Sequence, residues 1–537
     1  MIARPLMAAK EQVCIAVEAP GFSPAKPRST LAGFSLGEPG LKPPFSSRPF
    51  GTAEAVPFHP FFGASLPRTS IRLGCRLNNL LLLVLLFASV AIAQDNIRSK
   101  QSVPGNSAPW SNQQKAEMAD SVRRDFLHAW NGYKQYAWGH DELKPLSKSY
   151  RDWYGISLLM TPVDALDTML LMGLKNEAKE DRQLIDKKLS FDQDIYVKNF
   201  EITIRLLGGL LSSYQLSGDK RLLALADDLG ERLLPAFNSP TGMPYVYVNL
   251  KTGMVRGVES NPAEIGSLLL EFGTLSKLTG KPVYYDKAKR ALVEVYNRRS
   301  PIGLVGSSIN VETGKWIDTT SHISGGIDSY YEYLLKCSIL FGDKDCERMW
   351  KTSIAAVNKY VADETPNGLW YAQVSMNTGA RISTHYGALD AFFPAELALS
   401  GDLDRAERLQ ESSYKMWTTF GVEPEEMDYS TMKITSPGYE LRPEIIESTY
   451  YLCYFTGEPR YLDMGKTFFD SLEKCCRTDA GFAALVNVET KEKRDDMESF
   501  FLAETLKYLY LLFAPKSTLD LHKVVFNTEA HPMRRTW

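Results

Sequence analysis

The chain has 537 residues, 44% of them hydrophobic and 23% charged, with a formal net charge of −3. That composition suits a soluble globular protein with a large core. The near-neutral balance, without a long basic run in the body, excludes a nucleic-acid footprint, and seven cysteines in so long a chain exclude a disulfide-stapled scaffold.

Residues 1–79 are rich in Pro, Gly, Ser and Ala and lack sustained periodicity, so a disordered or mis-assigned leader is expected there. Leu80–Ala93 is an apolar run behind Arg72 and Arg76, and it ends in Ala91-Ile92-Ala93 before Gln94. It is shorter than the roughly 20 residues a membrane-spanning helix needs, and its flanks are those of a secretory signal peptide. The expected order is therefore leader (1–79), signal core and cleavage region (80–94), linker (95–110) and one large domain (111–535). An uncleaved signal anchor is the competing reading, and the only one that ties the chain to a membrane.

The domain reads as helices in pairs. Pro109–Tyr136 is a first amphipathic helix; Thr161-Pro162 starts a second, whose returning partner covers Glu177–Leu189. Five turns follow, centred on Gly218, Gly280, Gly342, Gly401 and Gly457, with gaps of 62, 62, 59 and 56 residues. Each lies between two apolar-periodic segments, the pattern of repeated helical hairpins. The segments from Pro240 to Ser260 and from Pro301 to Trp316 read as β-hairpin insertions. A last helix is expected over Met497–Phe513, and Val524–Phe526 reads as a strand. Six to seven pairs with short connections favour an all-α, closed double-layered α/α barrel; an open solenoid would need polar capping repeats, which are not seen. Cys337 and Cys346 flank one turn, while Cys453, Cys475 and Cys476 share the last hairpin, and either set could pair across antiparallel helices.

In four of the five repeats a carboxylate sits 13 to 17 residues before the glycine: Glu201, Glu264, Asp328 and Glu444. Equivalent positions in a closed array gather at one mouth. Glu201 and Arg205 are four apart, which is ordinary for an exposed ion pair; yet Phe200, Ile202, Ile204 and Leu206 make that helix apolar around most of its girth, and a buried Glu needs a partner or a task. Glu444 follows Pro443 at a helix start, where the dipole alone favours an acid. Glu447, Glu498 and Glu504 repeat the theme of acids in apolar, aromatic settings.

The ordered blocks PVDALDTMLLMGL (162–174), FEITIRLLGGLLSSY (200–214), DSYYEYLLK (328–336), RPEIIES (442–448), ESFFLAETLKYLYLLF (498–513) and VFNTEAHP (525–532) resemble the class I α-1,2-mannosidases, glycoside hydrolase family 47, over about Ser121–Pro532. The resemblance implies an (α/α)7 barrel with a C-terminal β-hairpin plug, a bound calcium ion, and inverting removal of terminal α-1,2-linked mannose from mannosyl-oligosaccharides or glycoproteins. By position, Glu201 resembles the general acid and Arg205 its pocket neighbour. Asp328 resembles a second catalytic acid, and Glu444 the general base. Thr528 resembles the calcium ligand, through its hydroxyl and carbonyl oxygens, with Glu447, Glu504 and Glu529 holding calcium-bound waters. Phe500 resembles the ring packed on the terminal mannose, and Glu264 and Arg442 further pocket residues. The block Ala388–Pro394 lacks the His and Cys of many eukaryotic members, so their usual disulfide is expected to be absent, and with Trp153-Tyr154-Gly155 it looks more like bacterial members. A monomer is expected in the periplasm or outside a bacterial cell, or in the secretory lumen of a eukaryotic one. The rival is a mannose-binding lectin of the same fold; intact Glu201, Asp328, Glu444 and Thr528 speak against it.

Overall fold

The computed structural model describes residues 109–535. The expected leader, the signal core and the linker up to residue 108 lie outside the described residues. Helix α1 (Asn112–Tyr136) opens on a capping box in which the Ser111 hydroxyl accepts from the Gln114 amide and the Gln114 side chain accepts from the Ser111 amide. Inner and outer helices then alternate. Inner α2 (Met160–Met172) pairs with outer α3 (Lys175–Lys188). Inner α4 (Asn199–Ile202), a π-helical turn (Thr203–Leu207) and α5 (Gly208–Ser217) pair with α6 (Lys220–Leu233). Inner α7 (Pro262–Gly266) and α8 (Leu269–Thr279) pair with α9 (Pro282–Asn297). Next come α10 (Asp328–Phe341) with α11 (Lys344–Tyr360), α12 (Phe393–Ser400) with α13 (Leu403–Phe420), and α14 (Glu444–Thr456) with α15 (Arg460–Cys475). The last inner element is a π-helical turn (Phe501–Thr505) running into α16 (Leu506–Phe513), and its outer partner is α1. Inner neighbours pack in the order α2, α5, α8, α10, α12, α14, α16, and the π turn before α16 returns to α2. The ring is a closed (α/α)7 barrel.

Side-chain pattern separates the layers. In inner α8 every residue from Leu269 to Ser276 is buried; in outer α6 only Leu222, Ala226, Leu229, Gly230 and Leu233 are. A helix apolar all round belongs inside, and one with a 3.6-period stripe belongs at the surface. The five predicted glycines all cap inner helices in the left-handed region, with φ of 74°, 76°, 67°, 93° and 72°. Gly173 (φ 72°) is a sixth such turn, hidden in Met172-Gly173-Leu174, where neither neighbour is a turn former.

With all these turns at one end, the N-termini of the inner helices meet at the other. There a strand before an inner helix pairs with the hairpin after the following outer helix: Tyr196–Lys198 with Tyr247–Asn249, Glu259–Ser260 with Ser308–Asn310, Thr320–Ser321 with Gln373–Ser375, and His385–Gly387 with Glu426–Asp428. The mouth is thus stitched repeat to repeat. From the turn end, the hairpin of Val524–Phe526 and Pro532–Arg534 enters the barrel. Its Phe526 ring lies among Tyr450, Tyr451 and Tyr508, and its tip carries Thr528 upward to the acids. A disulfide joins Cys337 on α10 to Cys346 on α11 across the Gly342 turn, and Cys453, Cys475 and Cys476 are free thiols. Among the described residues no helix is long and apolar enough to cross a membrane.

Candidate active site

Asp328 and Glu444 are the first residues of α10 and α14, where unsatisfied amides and the helix dipole favour acids. Asp328 accepts from the Ser329 amide at 2.8 Å. Both face a cavity of about 50 Å³ that is also lined by Glu332, Glu447, Glu504 and Thr528. Leu389 and Phe392 supply an apolar wall. Burial pushes Asp328 up to about 7. Burial does the same for Glu444, against the pull of the Arg442 guanidinium, and leaves it at about 7, with its Oε2 lacking a hydrogen-bond partner. Burial raises Glu447 to about 8 and Glu504 well above the carboxylate range.

The rim is a chain of charge pairs. The Arg205 Nε donates to Glu201 at 3.1 Å, and the same guanidinium bonds Glu529 and stands 3.7 Å from Asp164. Arg442 grips Glu425, its NH2 donating at 2.9 Å. The Phe500 ring lies between the two guanidiniums, 5.6 Å from Arg205 and 5.8 Å from Arg442. Glu264 is held by Lys198 Nζ at 2.7 Å. Thr528 projects from a turn locked by Asn527, whose Oδ1 accepts from the Glu529 and His531 amides and whose Nδ2 donates to Glu271 at 2.7 Å. Below it His531, fully buried, sits between Asp164 (3.1 Å) and Asp167 (2.7 Å). Although burial alone would lower it, the two carboxylates push His531 up to about 9, so both ring nitrogens carry protons and donate. The structure therefore gathers Asp328, Glu444, Glu447, Glu504 and Thr528 at one cavity. Glu201, Arg205, Glu529, Phe500 and Arg442 form one linked wall, and Glu264 lies on the rim.

Residues 125–535 match the profile of Glycosyl hydrolase family 47. The chain belongs to this family. Alpha-mannosidase I MNS5 of Arabidopsis thaliana is 39% identical over 451 residues, 78% of this chain and 77% of that protein. The endoplasmic reticulum mannosyl-oligosaccharide 1,2-alpha-mannosidase of Homo sapiens is 38% identical over 443 residues, 76% and 62% of the two chains. The solved structure of an alpha-1,2-mannosidase from Trichoderma reesei superposes with a TM-score of 0.73 at 29% identity, covering 78% of this chain and 99% of that one. These relatives are eukaryotic and lend no support to the bacterial likeness read from Ala388–Pro394.

The family-47 cavity fits a hard cation. Five acids face it, against Lys336, which bonds Glu332 at 2.6 Å and approaches Glu396 (3.3 Å) and Glu447 (3.8 Å), and Arg442, whose guanidinium pulls on Asp328 and Glu444. Buried negative charge in that excess calls for further positive charge, and oxygen donors suit calcium. Two other clusters fit less well: Glu142, Asp496 and Glu498 surround Arg151, which bonds the first and last of them, while Cys337, Asp343 and Cys346 have lost both thiols to the disulfide.

Sequence reading missed Glu332, Lys336, Glu425 and Lys198. The first two had a signal, since Asp328, Glu332 and Lys336 are spaced four apart on a helix that is otherwise apolar. Glu425 had none, because it reaches Arg442 from a mouth loop on another element; Lys198 lies three residues before Glu201, but its nearer partner, Glu264, belongs to a different helix.

Proposed function

We propose that this family-47 hydrolase is an inverting, calcium-dependent exo-α-1,2-mannosidase that trims terminal mannose from high-mannose N-glycans in the lumen of the secretory pathway. The observation that carries the reading is the shared cavity of Asp328, Glu444 and Thr528, with both acids lifted to about 7, into the range where a carboxyl can take or give a proton near neutrality. Glu444, with a free Oε2, takes the proton of the attacking water. Glu201, across the wall, gives its proton to the glycosidic oxygen, and Arg205 orients it. Asp328 is assigned a share in the acid role. Phe500 offers its ring to the apolar face of the terminal mannose, and Glu264 and Arg442 hold hydroxyls. Inverting hydrolysis needs one acid and one base with room for water between them.

Family-47 hydrolases are metal-dependent, and calcium is the ion we assign here, held by Thr528 with Glu447, Glu504 and Glu529 around it. When bound it supplies positive charge at the cavity floor against sugar hydroxyls and acids. Secretion is supported by the Cys337–Cys346 disulfide, a bond of oxidising compartments, and by the endoplasmic reticulum named for the human relative. We assign a mature N-terminus near Gln94, a catalytic domain over 111–535 and a monomer. The test is a panel of α-1,2-, α-1,3- and α-1,6-linked mannobioses with calcium. Free mannose from the α-1,2 isomer alone is expected; release from all three or none contradicts the assignment.

A further inference from the structure

Lys198 is the last residue of the mouth strand Tyr196–Lys198, immediately before α4. Its backbone is fixed on both sides: its register partner across the sheet is Tyr247, and its amide donates to the Tyr154 hydroxyl at 3.2 Å. Its side chain is 23% exposed, with Nζ 2.7 Å from Glu264 and 3.9 Å from Glu201. Burial pulls the ammonium down, but Glu201 and Glu264 more than offset it, so it stays charged. Glu201 thus sits between two cations. Arg205, on its own helix, is shared with Glu529 of the plug and Asp164 of α2, and Lys198 is shared with Glu264 of α7. The Tyr154 and Tyr247 hydroxyls are further titratable groups in its surroundings. The Lys198 side chain is a little more exposed than that of Glu201, 23% against 17%.

We propose that Lys198 is a positioning residue for proton delivery to the departing sugar: its ammonium, anchored on Glu264, holds the Glu201 carboxyl at the rim in donating position. The inference rests on the assignment of Glu201 as the acid. In the step concerned, the C1–O glycosidic bond breaks, the Glu201 proton goes to the departing oxygen, the water oxygen bonds C1, and Glu444 takes the water's proton. A neutral side chain at 198 loosens the donor.

Lys198→Met and Lys198→Arg are to be assayed on α-1,2-mannobiose and on α-mannosyl fluoride, whose leaving group needs no proton. For Lys198→Met we expect kcat on mannobiose to fall about tenfold. The fluoride should be hydrolysed within about twofold of wild type, which also shows that the variant is folded. Lys198→Arg should restore mannobiose turnover. Equal losses on both substrates, no loss on either, or a Lys198→Arg variant as slow on mannobiose as Lys198→Met, overturn the inference. A wild type inert toward both contradicts the assigned reaction, and this inference with it.

Discussion

At the residue scale the chemistry turns on a few carboxyls whose surroundings differ. Glu444 is the sharpest case, since a buried carboxyl with one oxygen unpartnered is costly unless it has work to do. Glu444→Gln keeps the shape and removes the base. Turnover of α-1,2-mannobiose is expected to fall by about 10²- to 10⁴-fold with little change in Tm; a loss under tenfold would take Glu444 out of the base role. The base must be ionised, and burial holds it at about 7 rather than at 4.5. The acidic limb of kcat/KM is therefore expected well above the ordinary carboxylate range, with activity falling as pH drops through it, as a rate profile from pH 4 to 8 will show. Much of this was legible in sequence, because acids embedded in apolar helices are conspicuous. The pairs were not: Arg442 with Glu425 and Lys198 with Glu264 join residues on different elements, and spacing along one helix is silent about partners from another.

At the element scale the repeat was legible because its turns are chemically marked. A glycine leaving a helix with positive φ is a local requirement written in local sequence. Gly280→Ala tests it cleanly, since a Cβ there meets nothing within 4 Å and the φ of +76° is the sole cost. A destabilisation of about 1 kcal/mol is expected from the shift in urea midpoint. Gly132 on α1 is the opposite case. Its backbone is helical, but an added Cβ would lie 1.6 Å from the Ala480 carbonyl oxygen, so Gly132→Ala must force α1 away from the barrel, at about 3 kcal/mol or more. Nothing in the helix pattern around Gly132 distinguishes it, because the clash comes from a loop some 350 residues away. The π turns at Thr203–Leu207 and Phe501–Thr505 were equally invisible: they look like helix in sequence, and each carries a site residue, Arg205 and Glu504.

At the scale of the whole molecule the barrel concentrates acids that it cannot neutralise alone. Asp328, Glu444 and Glu447 rise from ordinary values of 3.8, 4.5 and 4.5 to about 7, 7 and 8. A carboxyl whose folded pKa is raised holds a proton that the unfolded chain has released. Its contribution is fully present below the unfolded value and is lost as pH rises through the folded one. Chelated protein is thus expected to lose Tm steadily from about pH 4.5 to 8, measured by scanning calorimetry. Calcium at about 100 times its pH 8 Kd should stabilise by about 2.7 kcal/mol at pH 8, and the same concentration by less at pH 5, where protons compete for the acids. A chelated protein as stable at pH 8 as at pH 5, with no response to calcium, would show that the cavity is neutral by other means.

The assigned reaction joins these scales, since a base on α14, an acid on α4 and a cation at the plug's tip act together only in the closed barrel. Proton NMR of α-1,2-mannobiose hydrolysis, followed from the first minutes with calcium present, tests that union most directly. The β-anomer of mannose is predicted to appear first and then to mutarotate, because water activated by Glu444 attacks opposite the departing sugar. First appearance of the α-anomer, or no mannose at all from folded, calcium-loaded protein, would contradict it.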